Sequence, residues 1–230
     1  MQSWVKLTGL FGLGLVAFGV YFYFRDKKQS GLANRRYYPG RFGEAPAIDS
    51  FTDGNMTTIM RASPDMPIEQ RIGSIQKMIE KSVQDPEMTK LAMQITKHCP
   101  DRDGMCEAKA IYKAVKKQVR YQGDIAPIKM SNGQVEGIDR YVSARRTWEF
   151  QGADCDDQVI LIATLASVIG LTTRLRVSAE SPDEDYSHVY PVVLLPKFSP
   201  TYGVAVDTTL PGTNKFGVEY PAAKVADFDA

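Results

Sequence analysis

From Leu7 to Phe24 every residue is apolar, aromatic, Gly or Thr, and no charged side chain interrupts the run. Such a stretch has to be buried in a protein core or to lie in a bilayer. As a helix rising about 1.5 Å per residue, roughly 18 residues span about 27 Å, close to the hydrocarbon thickness of a membrane. Trp4, Tyr21 and Tyr23 suit the interfacial belts at its ends. A cleaved signal peptide would have a shorter apolar region and a small-residue cleavage site, whereas this run ends in bulky aromatics followed by Arg25, Asp26, Lys27 and Lys28. The reading is a single-pass anchor over residues 1–28, with the lipid bilayer as the first partner. Gly9, Gly12 and Gly14 would let a second helix approach, which admits self-association. Arg25, Lys27, Lys28, Arg35, Arg36 and Arg41 follow the span, against Lys6 and the α-amine before it. That bias places the following domain on the cytoplasmic side, or, in a viral membrane, on the side of the packaged genome.

The rest of the chain is balanced. Lys plus Arg number 28 against 27 Asp plus Glu, a formal charge of +1, so bulk composition calls for no nucleic-acid partner. Residues 29–66 mix Gly31, Gly40, Gly43, Gly54, Pro39, Pro46 and Pro64 with polar residues and show no sustained period, as expected of an extended linker. A folded domain over 67–230 is then expected. Ile68, Ile72, Ile75 and Ile79 recur at helical spacing after Pro67; Met88, Leu91, Ala92 and Ile95 do so again, and Ala108, Ile111, Tyr112, Val115 and Val119 mark a third amphipathic helix ending near Tyr121.

The three cysteines, an odd number, do not make a disulfide framework and leave at least one thiol free. His98, Cys99 and Cys106 lie together between the second and third helices, but a structural zinc site needs a fourth ligand that the neighbourhood does not supply. A reduced connection between Cys99 and Cys106 is the expectation for a cytoplasmic setting. No Gly-rich phosphate loop and no HExxH is present, so neither a cofactor nor a metal is implied.

Residues 122–153 read as an irregular loop shaped over a site. Cys155, Val159, Ile162, Ala166 and Ile169 then share one face of a helix that Gly170 is placed to end. Strands follow at Thr173–Val177, His188–Leu195 and Gly203–Asp207, with Pro191 marking the second as an edge or a bulge. Helices followed by strands make an α+β chain.

Cys155 opens its helix after the turn Gly152-Ala153-Asp154, where unsatisfied N–H groups and the dipole favour a thiolate. Asp154, Asp156 and Asp157 act the other way by charge repulsion, with capping of the first turn as their plain role. Alone, a cysteine there is more often a small buried hydrophobe than a nucleophile. His188 and Asp207, near the ends of adjacent strands, change that: the order matches a nucleophile, a general base, and an acid that orients the imidazole. An oxyanion hole would need the Cys155 N–H and a side-chain donor, for which Tyr121, Trp148 and Gln151 are the candidates. The acidic loop Glu180–Ser187 before His188 either favours basic substrates or is simply solvated.

The ordered fragments Gly-Ala-Asp-Cys155-Asp-Asp-Gln, Thr-Arg-Leu-Arg-Val, Ser-His188-Val-Tyr and Val-Ala-Val-Asp207-Thr-Thr resemble the transglutaminase-like core over roughly 67–212, in a variant similar to bacteriophage and bacterial sequences. The resemblance implies a papain-like α+β fold and a triad of Cys155, His188 and Asp207. It leaves the reaction open among peptidase, amidase, acyltransferase and inactive binding domain. Two expectations follow: a membrane-anchored thiol enzyme acting on peptide or glutamine-type amide bonds, or a non-catalytic scaffold such as a structural or assembly protein of a membrane-containing phage virion.

Overall fold

A helix with no polar stripe cannot lie on a surface, and Cys155–Val168 is such a helix: every residue from Asp156 to Ala166 is buried. It is the axis on which the rest is built. The computed structural model describes residues 50–53, 56–62, 66–123, 128–129, 135–136, 139–212 and 215–230. All fall in one unit, Pro46–Ala230. The elements run β1 (Ser50–Asp53), β2 (Met56–Ala62), α1 (Ile68–Val83), α2 (Pro86–Thr96), α3 (Gly104–Gln118), β3 (Arg120–Tyr121), β4 (Ile128–Lys129), β5 (Val135–Glu136), β6 (Asp139–Val142), α4 (Ala144–Phe150), β7 (Gly152–Ala153), α5 (Cys155–Val168), β8 (Thr172–Ala179), β9 (His188–Leu195), β10 (Tyr202–Ala205) and β11 (Lys224–Asp229). The chain is thus α+β.

Helices α1 to α4 pack on α5, and β8 and β9 close its other side. The expected inward face of α5 is therefore an underestimate, because the helix is enclosed all round. The three amphipathic helices stand where their periodicity places them. Asp85 caps α2 by accepting from the Glu87 N–H, with Pro86 at the first position. Asp103 caps α3 through the Cys106 N–H at 2.9 Å. At the other end of α5, Gly170 has φ +80°, its N–H meets Ser167 O and the Leu171 N–H reaches Ala166 O, the double closure that ends a helix at a left-handed residue.

The main sheet is antiparallel in the order β10-β9-β8-β11. Leu175, Val177, Val189, Val193 and Leu195 turn into the core with α5, while Tyr190, Val192 and Ala205 form a separate small cluster on the opposite face. Pro191 was expected to mark an edge or a bulge, yet β9 is an interior strand and Pro191 pairs with Leu175. The proline fits because N and C=O of one residue point the same way: its carbonyl takes the Val206 N–H, so its missing donor faces the chain just beyond the end of β10.

Four further expectations are corrected. Within the stretch 29–66 expected as a linker, β1 and β2 form a hairpin that pairs with β6, so the folded unit begins before residue 67. The stretch 122–153 is not an irregular loop but holds β4, β5, β6, α4 and β7. Asp207 lies two residues past β10 instead of at its end. Cys99 and Cys106 are joined as a disulfide, their Cα atoms 5.6 Å apart across the turn between α2 and α3. Among the described residues no helix is long and apolar enough to cross a membrane; residues 7–24, with the expected anchor and its basic flank, lie outside them.

Candidate active site

The strand pair β3–β7 is parallel, matching Arg120 with Gly152 and Tyr121 with Ala153. It sets the end of α3 beside the turn that leads into α5, and so fixes where Cys155 emerges. Asp154 then caps α5, its carboxylate accepting the Asp157 N–H at 3.0 Å. The three acidic residues around the thiol have separate tasks. Asp157 reaches back to the Val142 N–H at 2.6 Å and ties α5 to β6, and Asp156 accepts from the Cys155 thiol at 3.5 Å. Cys155 is the free thiol of the chain and is half-buried. Burial, followed by the charges of Asp156 and Asp154, pushes it well above the usual thiol value, against the Val189 N–H that faces the sulfur. Burial first, and then the charges of Asp156 and Asp154, thus work against the thiolate that a helix start favours.

His188 opens β9, one residue before that same Val189, and lines the same cleft as Cys155. Its Nε2 lies 2.9 Å from Asp207 Oδ2. Asp207 is 1% exposed. Burial would raise its carboxyl, but the hydrogen bond and charge of His188, with the O–H and N–H of Thr209, outweigh that and hold it below the usual carboxylate value. An ionised carboxylate only accepts, so Nε2 carries the proton and Nδ1 is left as the basic nitrogen. The imidazole stacks on Tyr190 at 5.6 Å between centroids and meets the Tyr220 ring at 4.4 Å.

A second set of residues holds Asp207 in place, and sequence reasoning missed it. Thr209 donates to Asp207 Oδ1 twice, from its N–H at 2.9 Å and its hydroxyl at 2.6 Å. The pattern Asp-Thr-Thr is a side-chain turn signal that could have been read. Buried Gln158, one turn into α5, bridges the carbonyl of Ala153 and the hydroxyl of Thr208, the latter at 2.6 Å. Lys116 on α3 donates to the carbonyls of Thr208 and Leu210 at 2.7 and 2.6 Å. Its burial lowers its pKa, and the nearby Asp207 charge opposes that. One helix turn back, the Tyr112 hydroxyl accepts the Lys215 N–H at 3.1 Å and its ring meets Phe216 edge-on. No short-range sequence signal ties Lys116 or Gln158 to the Asp207 loop, since their partner Thr208 lies 92 and 50 residues away.

The cleft, of ≈ 260 Å³, is lined by Cys155, Asp156 and His188 together with Arg71, Tyr121 and Tyr141, among others. Of the three side chains considered as oxyanion donors, Tyr121 lines it and is 57% exposed. The other two are placed elsewhere. Trp148 packs partly buried against the core on α4, and Gln151 is the left-handed residue, φ 60°, that ends α4. A loop over 122–153 would put both toward the site; 144–150 is instead the helix α4, and neither residue is among those lining the cleft. His98 is exposed at the turn after α2.

No family model matches the chain, and no curated protein matches it. Among solved structures, a protein from Cytophaga hutchinsonii provisionally described as a cysteine protease is similar over 74% of this chain, with 15% identity and a TM-score of 0.41. The match covers 58% of that protein's chain.

Proposed function

We propose that the unit from Pro46 onward is a transglutaminase-like thiol enzyme with a papain-type core, in which Cys155 attacks a peptide or glutamine-type amide. One observation carries the reading: His188, paired with buried Asp207, lines the same cleft as a free thiol at a helix N-terminus. Burial and the neighbouring carboxylates favour the protonated sulfur, so in this reading the base does its work during attack. The S–H proton passes to His188 Nδ1 as sulfur bonds to the carbonyl carbon, Asp207 balances the imidazolium, and the same proton then goes to the leaving amine. The thioester is released by water or by an amine, which separates hydrolysis from acyl transfer. The Cys155 N–H and Tyr121 are the oxyanion donors this reading favours.

The disulfide leaves Cys155 as the thiol to be labelled in unreduced protein, which makes the test direct. Iodoacetamide should alkylate Cys155 at neutral pH about 100-fold faster in the wild type than in His188→Ala, the scale of a positioned base. Equal rates sink the reading. Attachment of the unit to a bilayer through residues 7–24 belongs to the same proposal: the full chain should float with lipid vesicles, and a chain beginning at Pro46 should not.

The burial and acidic surroundings that raise the thiol pKa favour a second reading, a non-catalytic scaffold at a membrane such as a phage virion component. That reading requires Cys155→Ala to keep assembly and membrane binding while His188→Ala leaves the labelling rate unchanged.

A further inference from the structure

Between Lys215 and β11 the chain crosses the outer face of the main sheet. At one end the Gly217 N–H bonds to Ala205 O on β10, with Gly217 at φ +79° turning the chain. At the other, the Ala223 N–H bonds to Ala179 O on β8. Tyr220 stands midway and so lands over β9, where it joins the small cluster of Tyr190, Val192 and Ala205. Its ring centroid is 4.4 Å from that of His188 at 44°. Its hydroxyl donates to Glu180 Oε1 at 3.2 Å, and the neighbouring Glu219 pairs with Arg176 at 2.7 Å, so the crossing segment is fastened on both sides of the ring.

We infer that Tyr220 is a positioning residue for His188, its ring holding the imidazole at the Asp207 carboxylate and supporting the imidazolium that forms when the thiol proton is taken. The inference rests on the reading of His188 as the base. Two features separate this role from simple cover of an apolar patch. The ring meets the imidazole itself, and the imidazole already stacks on Tyr190 at 5.6 Å, so the ring that becomes a cation is contacted by two π-systems. Moreover, the Asp207 hydrogen bond restrains only Nε2; the ring contacts of Tyr190 and Tyr220, of which Tyr220 is the nearer, are what limit tilting and set the direction of Nδ1. The step is the proton transfer already described: S–H breaks, Nδ1–H forms, and sulfur keeps the electron pair.

The experiment is the alkylation rate of Cys155 by iodoacetamide in the unreduced full chain, for the wild type, His188→Ala, Tyr220→Phe, Tyr220→Leu and Tyr220→Ala, with thermal unfolding as the check on folding. Tyr220→Leu keeps apolar volume against the cluster of Tyr190, Val192 and Ala205 without a π-face, whereas Tyr220→Phe keeps the ring and loses the Glu180 tether. The expected result is about tenfold slower labelling for Tyr220→Leu and Tyr220→Ala, and a rate within about threefold of the wild type for Tyr220→Phe. A Tyr220→Leu rate equal to the wild type overturns the inference, as does a Tyr220→Phe loss as large as that of Tyr220→Leu. If Tyr220→Ala fails to fold, the Phe and Leu pair decides. Should wild type and His188→Ala label at the same rate, it is the base reading that fails, and that outcome is distinct from either of the others.

Discussion

The two faces of the main sheet are cut from alternate residues of the same strands and have opposite character. Toward α5 the sheet shows Leu175, Val177, Val189, Val193 and Leu195, all within the apolar core. Away from it stand His188, Tyr190 and Val192, with Ala205 and Tyr220, and there buried polar contacts gather around Asp207. Since the side-chain period of a strand is two, a slip of one residue would exchange the faces and destroy both core and site. The core face is what fixes the register, because burial of apolar area is large and non-directional. The chemical face inherits its geometry from that register. The comparison implies that damage to the inner face should lower stability and spare reactivity, while damage around Asp207 should do the reverse.

The largest effect is expected on the inner face. Leu175 is 0% exposed, and Leu175→Ala should lower unfolding free energy by about 2–5 kcal/mol, the range for an aliphatic cavity in a packed core. Below its melting transition the variant should alkylate Cys155 at the wild-type rate. A large loss of rate in folded Leu175→Ala protein would break the division between the faces.

On the other side, Asp207→Asn keeps shape but removes the charge that orients His188 and balances the imidazolium. Labelling should slow about 100-fold at neutral pH, with a small change in melting temperature. Acid should reproduce it. The Asp207 carboxyl is held below its usual value by His188 and Thr209 against the opposing effect of burial. Its contribution is therefore complete above the unfolded carboxylate value and is lost as pH falls through the lower folded value. Labelling that is indifferent to Asp207→Asn would remove the acid from the site.

Lys116 tests whether the site is held from outside the sheet. Lys116→Met leaves the carbonyls of Thr208 and Leu210 without their donor, so a loss of about 1–3 kcal/mol in stability is expected. A roughly tenfold slower labelling rate should accompany it if the loop is what positions Asp207. Lys116→Arg should recover part of the rate by restoring a cation; a stability loss with no change in rate would reduce Lys116 to a fastener.

How much of this was legible depended on the range of the interactions. Helical periodicity placed α1, α2, α3 and α5, and the order Cys155, His188, Asp207 named groups that the fold does gather, because helix starts and strand ends carry local signals. The burial of α5 on every side was not legible, since it depends on which elements pack there. The hairpin β1–β2 hid in a polar stretch with Gly and Pro, and its partner β6 lies some 80 residues away in sequence. Trp148 and Gln151 were misplaced because α4 is a short helix without a clear period. The Cys99–Cys106 disulfide runs against the expectation for a cytoplasmic compartment, which carries no information on the turn that brings the two residues together. Tyr220 lies in an irregular segment and gains its place only from hydrogen bonds to β10 and β8.

The smallest effect sharpens the comparison at its boundary, where α5 meets the cleft. Asp156 accepts from the thiol at 3.5 Å, and its charge adds to burial in raising the thiol pKa. Asp156→Asn keeps an acceptor oxygen and removes the repulsion, so the thiolate becomes easier to form and the alkaline limb of the labelling profile should move to lower pH. At a fixed neutral pH the rate should rise about threefold, an effect of fractions of a kcal/mol. Loosening of the fold would also expose the thiol and speed labelling, so the rise counts only with an unchanged melting temperature. Combining it with His188→Ala divides the effects cleanly: a purely electrostatic Asp156 gives the same ratio with and without the imidazole. If the ratio disappears in His188→Ala, Asp156 acts through the base, and the boundary between helix end and sheet face lies one residue deeper in α5 than the hydrogen bonds place it.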